Sequence, residues 1–278
     1  MNKYRARLVS IGKKYFEEKM RPFLIQKGLL NNTLICFSGS IAYGYCDKLS
    51  DIEMEYYIHK KLNKQALREV VEILSKEGVY ESVRLSIGLN TEWKLNLILN
   101  NKTGNFWKSF DPYQLFEMTH ALAIWDPFKI IEKIKKQVAF YPNPIFKKVV
   151  RGLWITANDS GFYNADFSIK RGNYTEGYTF LYRGLEALLR LIYVLNREYY
   201  PHSKWLTRQL STLKNNFNAK YYLKKINSGN LKDRYKTFCL FIKEFEQFFL
   251  KKHNIIERKY VFDPWVLLKK PYYIHCTF

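Results

Sequence analysis

Cysteine is scarce in this chain, acidic residues are few, and long apolar runs are missing. Only Cys36, Cys46, Cys239 and Cys276 are present among 278 residues. They form no CxxC pair and no zinc spacing with the five histidines, which reads as reduced thiols in a cytoplasm. No apolar run reaches the roughly 18 residues that a membrane span needs. The best stretch, Leu185 to Leu195, is broken by Glu186 and Arg190. The first residues carry charge throughout, without the apolar stretch and small-residue cleavage site of a signal peptide. The expectation is a cytoplasmic protein with no membrane partner. HExxH, GxSxG and GxxxxGK[ST] do not occur, which weakens metalloprotease, α/β-hydrolase and P-loop readings. There is no internal repeat and no low-complexity linker.

What is present is positive charge and apolar mass. Lys and Arg total 46 against 25 Asp and Glu, a formal net charge of +21. Apolar residues make up 47%, enough for a sizeable core and too much for a wholly disordered chain. The charge is uneven. Residues 201–278 hold 16 basic and 5 acidic residues, whereas residues 51–100 hold 7 basic and 8 acidic ones. A basic envelope around one acidic block suits a polyanion handled through bound metal, and lysines that simply keep the protein soluble suit it as well.

The first part of the chain mixes helix and strand signals. Residues 3–28 read as a helix interrupted at Pro22. Leu34-Ile35-Cys36-Phe37 reads as a buried strand that ends at Ser38-Gly39-Ser40. Ile52 to Ile58 reads as a strand, Lys64 to Gly78 as a helix, and Val79 to Leu89 with Trp93 to Leu99 as two strands around a hairpin at Asn90-Thr91. After Asp126-Pro127 the spacing turns helical: 128–138, 145–158, 176–195, 204–213 and 231–252. The clearest apolar face is on 176–195, with Phe180, Leu181, Leu185, Leu188, Leu189 and Ile192. The fold class expected is α+β: a mixed sheet with flanking helices over residues 1–125, followed by an all-helical domain over 126–278.

The segment from Phe37 to Glu55 carries the chemistry. A strand ends in Gly39-Ser40, and Asp51 and Glu53 follow about ten residues later. Residues i and i+2 of a strand project from the same face, so the two carboxylates lie side by side. Adjacent carboxylates repel, and one is pushed toward protonation unless a cation intervenes. Mg²⁺ takes one or two carboxylates together with phosphate oxygens and water. Gly39 lets backbone come close to a ligand, and Ser40 offers a hydroxyl and an N–H to phosphate. Glu55, at i+4, is a third carboxylate of that face or a support for the other two. Tyr43 is left open between stacking on a base and packing locally. His120 and His202 have no paired partner and read as structural.

This pattern resembles the nucleotidyltransferase superfamily related to DNA polymerase β. The stretch Gly39-Ser40-Ile41-Ala42-Tyr43-Gly44, then Leu49-Ser50-Asp51-Ile52-Glu53, is similar to its signature of Gly-Ser and a later Asp-x-Asp/Glu between apolar residues. Within it the chain looks most like the bacterial antibiotic branch, which includes aminoglycoside and lincosamide adenylyltransferases. The element from Leu195 to Leu206, Asn-Arg-Glu-Tyr-Tyr-Pro-His-Ser-Lys-Trp, resembles one that recurs in relatives of that branch. The resemblance implies transfer of a nucleoside monophosphate, AMP from ATP, to a hydroxyl of a small acceptor such as an antibiotic, with release of pyrophosphate. Asp51 and Glu53 would be catalytic and would ligate Mg²⁺. Gly39, Ser40, Lys204, Arg183 and Arg190 would bind the nucleotide, although the helical spacing of Arg183, Glu186, Arg190 and Arg197 also fits a salt-bridged face. The family takes a third carboxylate from a later strand, where this chain has Asn96. Glu92 shares that face and is the candidate base. Two alternatives stand beside this reading. One is a nucleotidyltransferase acting on RNA or protein, for which the basic last third argues. The other is a nucleotide-binding module of weak activity. Oligomeric state is open, a homodimer included.

Overall fold

A computed structural model of the chain describes residues 3–58, 65, 68–70, 72, 78–90, 110–252 and 254–264. By internal contacts the chain divides into two compact units, Met1–Ala139 and Phe140–Phe278.

The first unit is built on a mixed sheet flanked by helices. Helix α1 (Lys3–Tyr15) runs through a wide π-helical segment, Phe16–Met20, into α2 (Arg21–Gln26), which has Pro22 in its first turn. Pro22 has no N–H to donate, yet the residues before it, Met20 and Arg21, keep helical backbone, so the helix runs on through the junction. Strand β1 (Thr33–Phe37) leads into the short helix α3 (Gly39–Tyr43), and β2 (Ile52–Ile58) returns antiparallel to β1. Then come β3 (Val79–Tyr80), β4 (Val83–Asn90), α4 (Pro112–His120), β5 (Leu122–Trp125) and α5 (Ile130–Gln137). The strand order is β3-β4-β2-β1-β5, and β2 and β4 run parallel.

Alternation along β2 sets the two faces of the sheet. Ile52, Met54, Tyr56 and Ile58 join Ile35 and Phe37 in a core closed by Leu8, Ile11 and Tyr15 of α1. Their odd-numbered neighbours therefore leave on the opposite face. Fully burying one such aliphatic or aromatic side chain contributes roughly 1.5–3 kcal/mol.

Two sequence expectations are corrected here. Residues 79–89 are not one strand. Glu81 and Ser82 both have positive φ, 45° and 62°, and turn β3 back on β4. Two such residues favour the twist of a tight hairpin, but the usual Asn-Gly is absent, so the turn is silent in the sequence. Residues 204–213 hold only two 3₁₀ turns, Ser203–Trp205 and Leu210–Thr212, in place of a helix. The change of pattern at Asp126-Pro127 is a helix cap. The Asp126 carboxylate accepts the N–H of Ile130 at 2.8 Å and of Ile131 at 2.9 Å, and the first compact unit continues to Ala139. The strand expected at 93–99 and most of the helix expected at 64–78 lie outside the described residues.

The second unit is helical throughout its described residues. It comprises α6 (Asn143–Thr156), a π-helical segment Ala157–Asn164, α7 (Ala165–Lys170), α8 (Tyr174–Leu195), α9 (Ala219–Ile226), α10 (Leu231–Lys251) and α11 (Arg258–Phe262). Helix α8 is its centre, with Leu181, Leu188, Leu191 and Ile192 fully buried. Among the described residues no helix is long and apolar enough to cross a membrane.

Candidate functional site

The corner after β1 is fixed by backbone. The N–H of Ser38 donates to the carbonyl of Glu53 at 3.0 Å, which ties the end of β1 to the start of β2. Gly39 follows with φ +53°, a region where an L side chain is strained. A Cβ at Gly39 would fall on the Glu53 carboxylate, so Glu53 occupies the space that the missing side chain leaves. The Gly-Ser corner and one of the two predicted acids are thus in direct contact.

Helix α3 is braced at its far end. Gly44 turns out of it with φ 78°. Arg5 of α1 donates from Nε to the carbonyl of Ile41 at 2.7 Å and from its guanidinium to Ala42 at 3.3 Å. These bonds satisfy the last carbonyls of a helix too short to stabilise itself. Ser40 is buried, and its hydroxyl accepts the Cys46 thiol at 3.8 Å. Burial pushes the Cys46 thiol up, so it stays protonated as that donor.

Asp51 stands just before β2, outside the strand. It borders an open cleft of about 370 Å³ that Asp47, Ser50, Ser82, Arg84 and Arg7 also line, and that is lined neither by Glu53 nor by Gly39 and Ser40. Two residues beyond Glu53, Glu55 meets β4 at Gly88. A Cβ there would lie 2.5 Å from both carboxylate oxygens. Glu55 then lines a small cavity of about 40 Å³ with Ser38, Cys36, Tyr57, Gln114 and Glu117. A space of that size admits a water molecule or an ion.

Glu117 comes from α4, and Tyr43 holds it. The Tyr43 hydroxyl donates to Glu117 Oε1 at 2.8 Å. Burial first, then the charges of Glu117 and Glu53, raises the Tyr43 phenol far above its usual value, so it remains a donor. Its ring packs 4.8 Å from Phe116 and 6.0 Å from His120. Tyr43 therefore packs locally. His120 stacks on Phe116 at 4.0 Å, and its Nδ1 lies 2.9 Å from the Phe116 carbonyl. Burial, with the charge of Lys135, lowers its pKa below 6.5 and keeps the ring neutral. Cys36, fully buried beneath this layer, is pushed far up by burial and by Glu55.

Neither Glu117 nor its latch to Tyr43 was among the sequence candidates. One signal existed. Asp111-Pro112-Tyr113-Gln114 reads as a helix start, and the Gln114 side chain does reach back to the Asp111 N–H at 3.0 Å. That signal marks where α4 begins but not which of its residues faces the sheet.

The remaining candidates are placed as follows. Glu92 lies outside the described residues. Arg183, Arg190 and Lys204 belong to the second unit. Arg190 pairs with Glu186 at 2.8 Å, reaches Ser203 Oγ at 3.2 Å and lies 5.0 Å from the Tyr200 ring. The Arg183 charge acts on Asp159, whose carboxyl is raised by burial. Lys204 Nζ stands 5.5 Å from the Trp205 ring.

Two comparisons with known proteins give matches. A family model described as a domain of unknown function, DUF4037, matches residues 107–206. No curated protein matches the chain. The chain is similar to the crystal structure of a nucleotidyltransferase-like protein from Exiguobacterium sibiricum 255-15, at 14% identity and a TM-score of 0.45. That match covers 93% of this chain and 80% of the other.

Proposed function

We propose that this protein is a magnesium-dependent nucleotidyltransferase that moves a nucleoside monophosphate, AMP from ATP, to a hydroxyl group. The single observation that carries the reading is the contact of the Glu53 carboxylate with the side-chain space left open at Gly39. It joins an anion-repelling acid to a backbone corner of the kind that receives phosphate. A cation shared by both would let the acid and a phosphate occupy that corner together.

The donor set fits magnesium. Asp51 and Glu53 offer hard carboxylate oxygens and would hold the ion, with phosphate oxygens and water as further ligands. When bound, the ion neutralises polyphosphate charge and polarises the α-phosphorus. The chain's own residues do the rest. Gly39 gives close backbone approach to the phosphates, and Ser40 fixes the turn beside them. The acceptor oxygen attacks the α-phosphorus in line, pyrophosphate leaves, and the hydroxyl proton passes to a carboxylate, for which Glu92 is the sequence candidate. The acceptor in this reading is a small molecule such as an antibiotic, the class that the sequence resemblance suggests.

The test is transfer of label from ATP. Incubation of the full chain with α-labelled ATP, Mg²⁺ and panels of hydroxyl acceptors should yield a labelled product and pyrophosphate. Asp51→Asn should lose at least a hundredfold in rate while melting within a few degrees of the wild type. Equal turnover by Asp51→Asn rejects the assignment.

A further inference from the structure

The second unit carries an acid-free basic segment that ends in a cleft. From Tyr199 to Lys232 there is no Asp or Glu, while lysines occur at 204, 214, 220, 224, 225 and 232. Helix α9 lies within it and is firmly seated. Ala219, Tyr222 and Ile226 are buried, Tyr222 stacks on Phe241 at 4.6 Å, and its hydroxyl donates to Glu244 at 3.0 Å. The opposite side of α9 exposes Lys220, Tyr221, Lys224 and Lys225. Lys220, Tyr221 and Lys224 line an open cleft of about 420 Å³, together with Ser211, Asn216 and Asn218.

Three properties of this surface point to one ligand chemistry. Its charge is uncompensated: ion pairs of the second unit join, for example, Lys170 to Asp166, Arg190 to Glu186 and Lys259 to Glu257. Among the described residues none takes in Lys214, Lys220 or Lys224. Lysines at i and i+4 of one helix repel each other, a standing cost that a polyanion removes. An aromatic ring stands among the cations. Tyr221 is 54% exposed, and Lys225 Nζ lies 4.7 Å from its centroid. Finally, the cleft offers amides and a hydroxyl, groups able to hydrogen-bond the edges of a base. From Lys220 to Lys225 the charges span about 7.5 Å of helix axis, which is more than one phosphate occupies.

We propose that the α9 surface binds a single-stranded polynucleotide, with Lys220, Lys224 and Lys225 on the phosphates and Tyr221 stacked on a base. Exposed aromatics among lysines suit unpaired bases, because a duplex keeps its base faces covered. The proposal stands apart from the nucleotidyltransferase reading, and its test uses neither nucleoside triphosphate nor metal.

The experiment follows fluorescence anisotropy of a labelled oligouridylate, of its deoxy counterpart and of a duplex of equal length, with the full chain, between about 50 and 200 mM salt. The single strands should bind more tightly than the duplex, and the preference between RNA and DNA identifies the natural source. Lys220→Gln with Lys224→Gln should lower the slope of log affinity against log salt by about 1.4, from about 0.7 per lost phosphate contact. Tyr221→Ala should weaken binding about fivefold or more, with a nearly unchanged slope. All three side chains are exposed, so melting temperatures should not move. An unchanged salt slope in the double variant, an unchanged affinity in Tyr221→Ala, or equal affinity for the duplex overturns the proposal.

Discussion

Close glycine contacts occur in both units, and they serve opposite ends. In the second unit Gly161 and Gly184 bring two helical segments together backbone to backbone. A Cβ on Gly184 would strike Gly161 itself and lie 3.1 Å from the Ala157 carbonyl. In the first unit Gly39 and Gly88 each leave room for the carboxylate of a glutamate. One pair makes packing, and the other makes space for charge. Backbone cannot move aside, whereas a carboxylate can swing. Substitution should therefore cost stability at Gly161 and Gly184 and binding at Gly39 and Gly88.

The largest effect should come from Gly184→Leu. The added side chain meets backbone on α8's tightest contact, and the helical unit should lose about 3 kcal/mol or more, read as a lowered thermal midpoint by circular dichroism. A near-native midpoint would break the comparison at its packing end. Next comes Tyr43→Phe. It takes a donor from the half-buried Glu117 and should cost about 1–3 kcal/mol, measured by denaturant unfolding. Gly39→Ala is the discriminating variant. Its positive φ should cost only about 1–2 kcal/mol, yet the new Cβ evicts Glu53, so magnesium-dependent ATP affinity should fall at least tenfold. If stability collapses and affinity survives, the two units do not differ in the way described.

The smallest effect is on pH. His120 is held neutral by burial, with its pKa below the ordinary 6.5. As pH falls below 6.5 the unfolded chain takes up this proton before the folded one does. Stability from this group is therefore complete above 6.5 and declines as pH drops toward the folded value. Histidine resonances followed by NMR should show His120 titrating below the ordinary 6.5. A value above 6.5 would contradict the packing of α4 described here.

Much of the fold was legible because periodicity follows burial. The apolar face of residues 176–195 marks α8 because that helix is the centre of its unit. Leu34 to Phe37 reads as a buried strand because every residue of β1 is buried. Short elements closed by tertiary contacts were not legible. The Glu81-Ser82 turn lacks turn residues, and α9 has only three buried positions to set its period. Within the site, Gly39 and Glu53 could be paired from spacing alone, because a strand, a corner and a return strand leave few ways to place them. Glu117 could not, because it lies more than sixty residues away on a helix whose packing against the sheet no local spacing reveals. Tyr43 itself is ambiguous in sequence, where a tyrosine after a Gly-Ser corner suits a base as well as a helix.

The central claim is that the acids of β2 and the glycine corner hold magnesium against a polyphosphate. Calorimetric titration of ATP into the wild type and into Glu53→Gln, each with and without Mg²⁺, tests it most directly. The account predicts ATP binding by the wild type that depends on magnesium, and a loss of that dependence in Glu53→Gln with the fold intact. ATP binding of equal strength in both proteins, indifferent to magnesium, would contradict it.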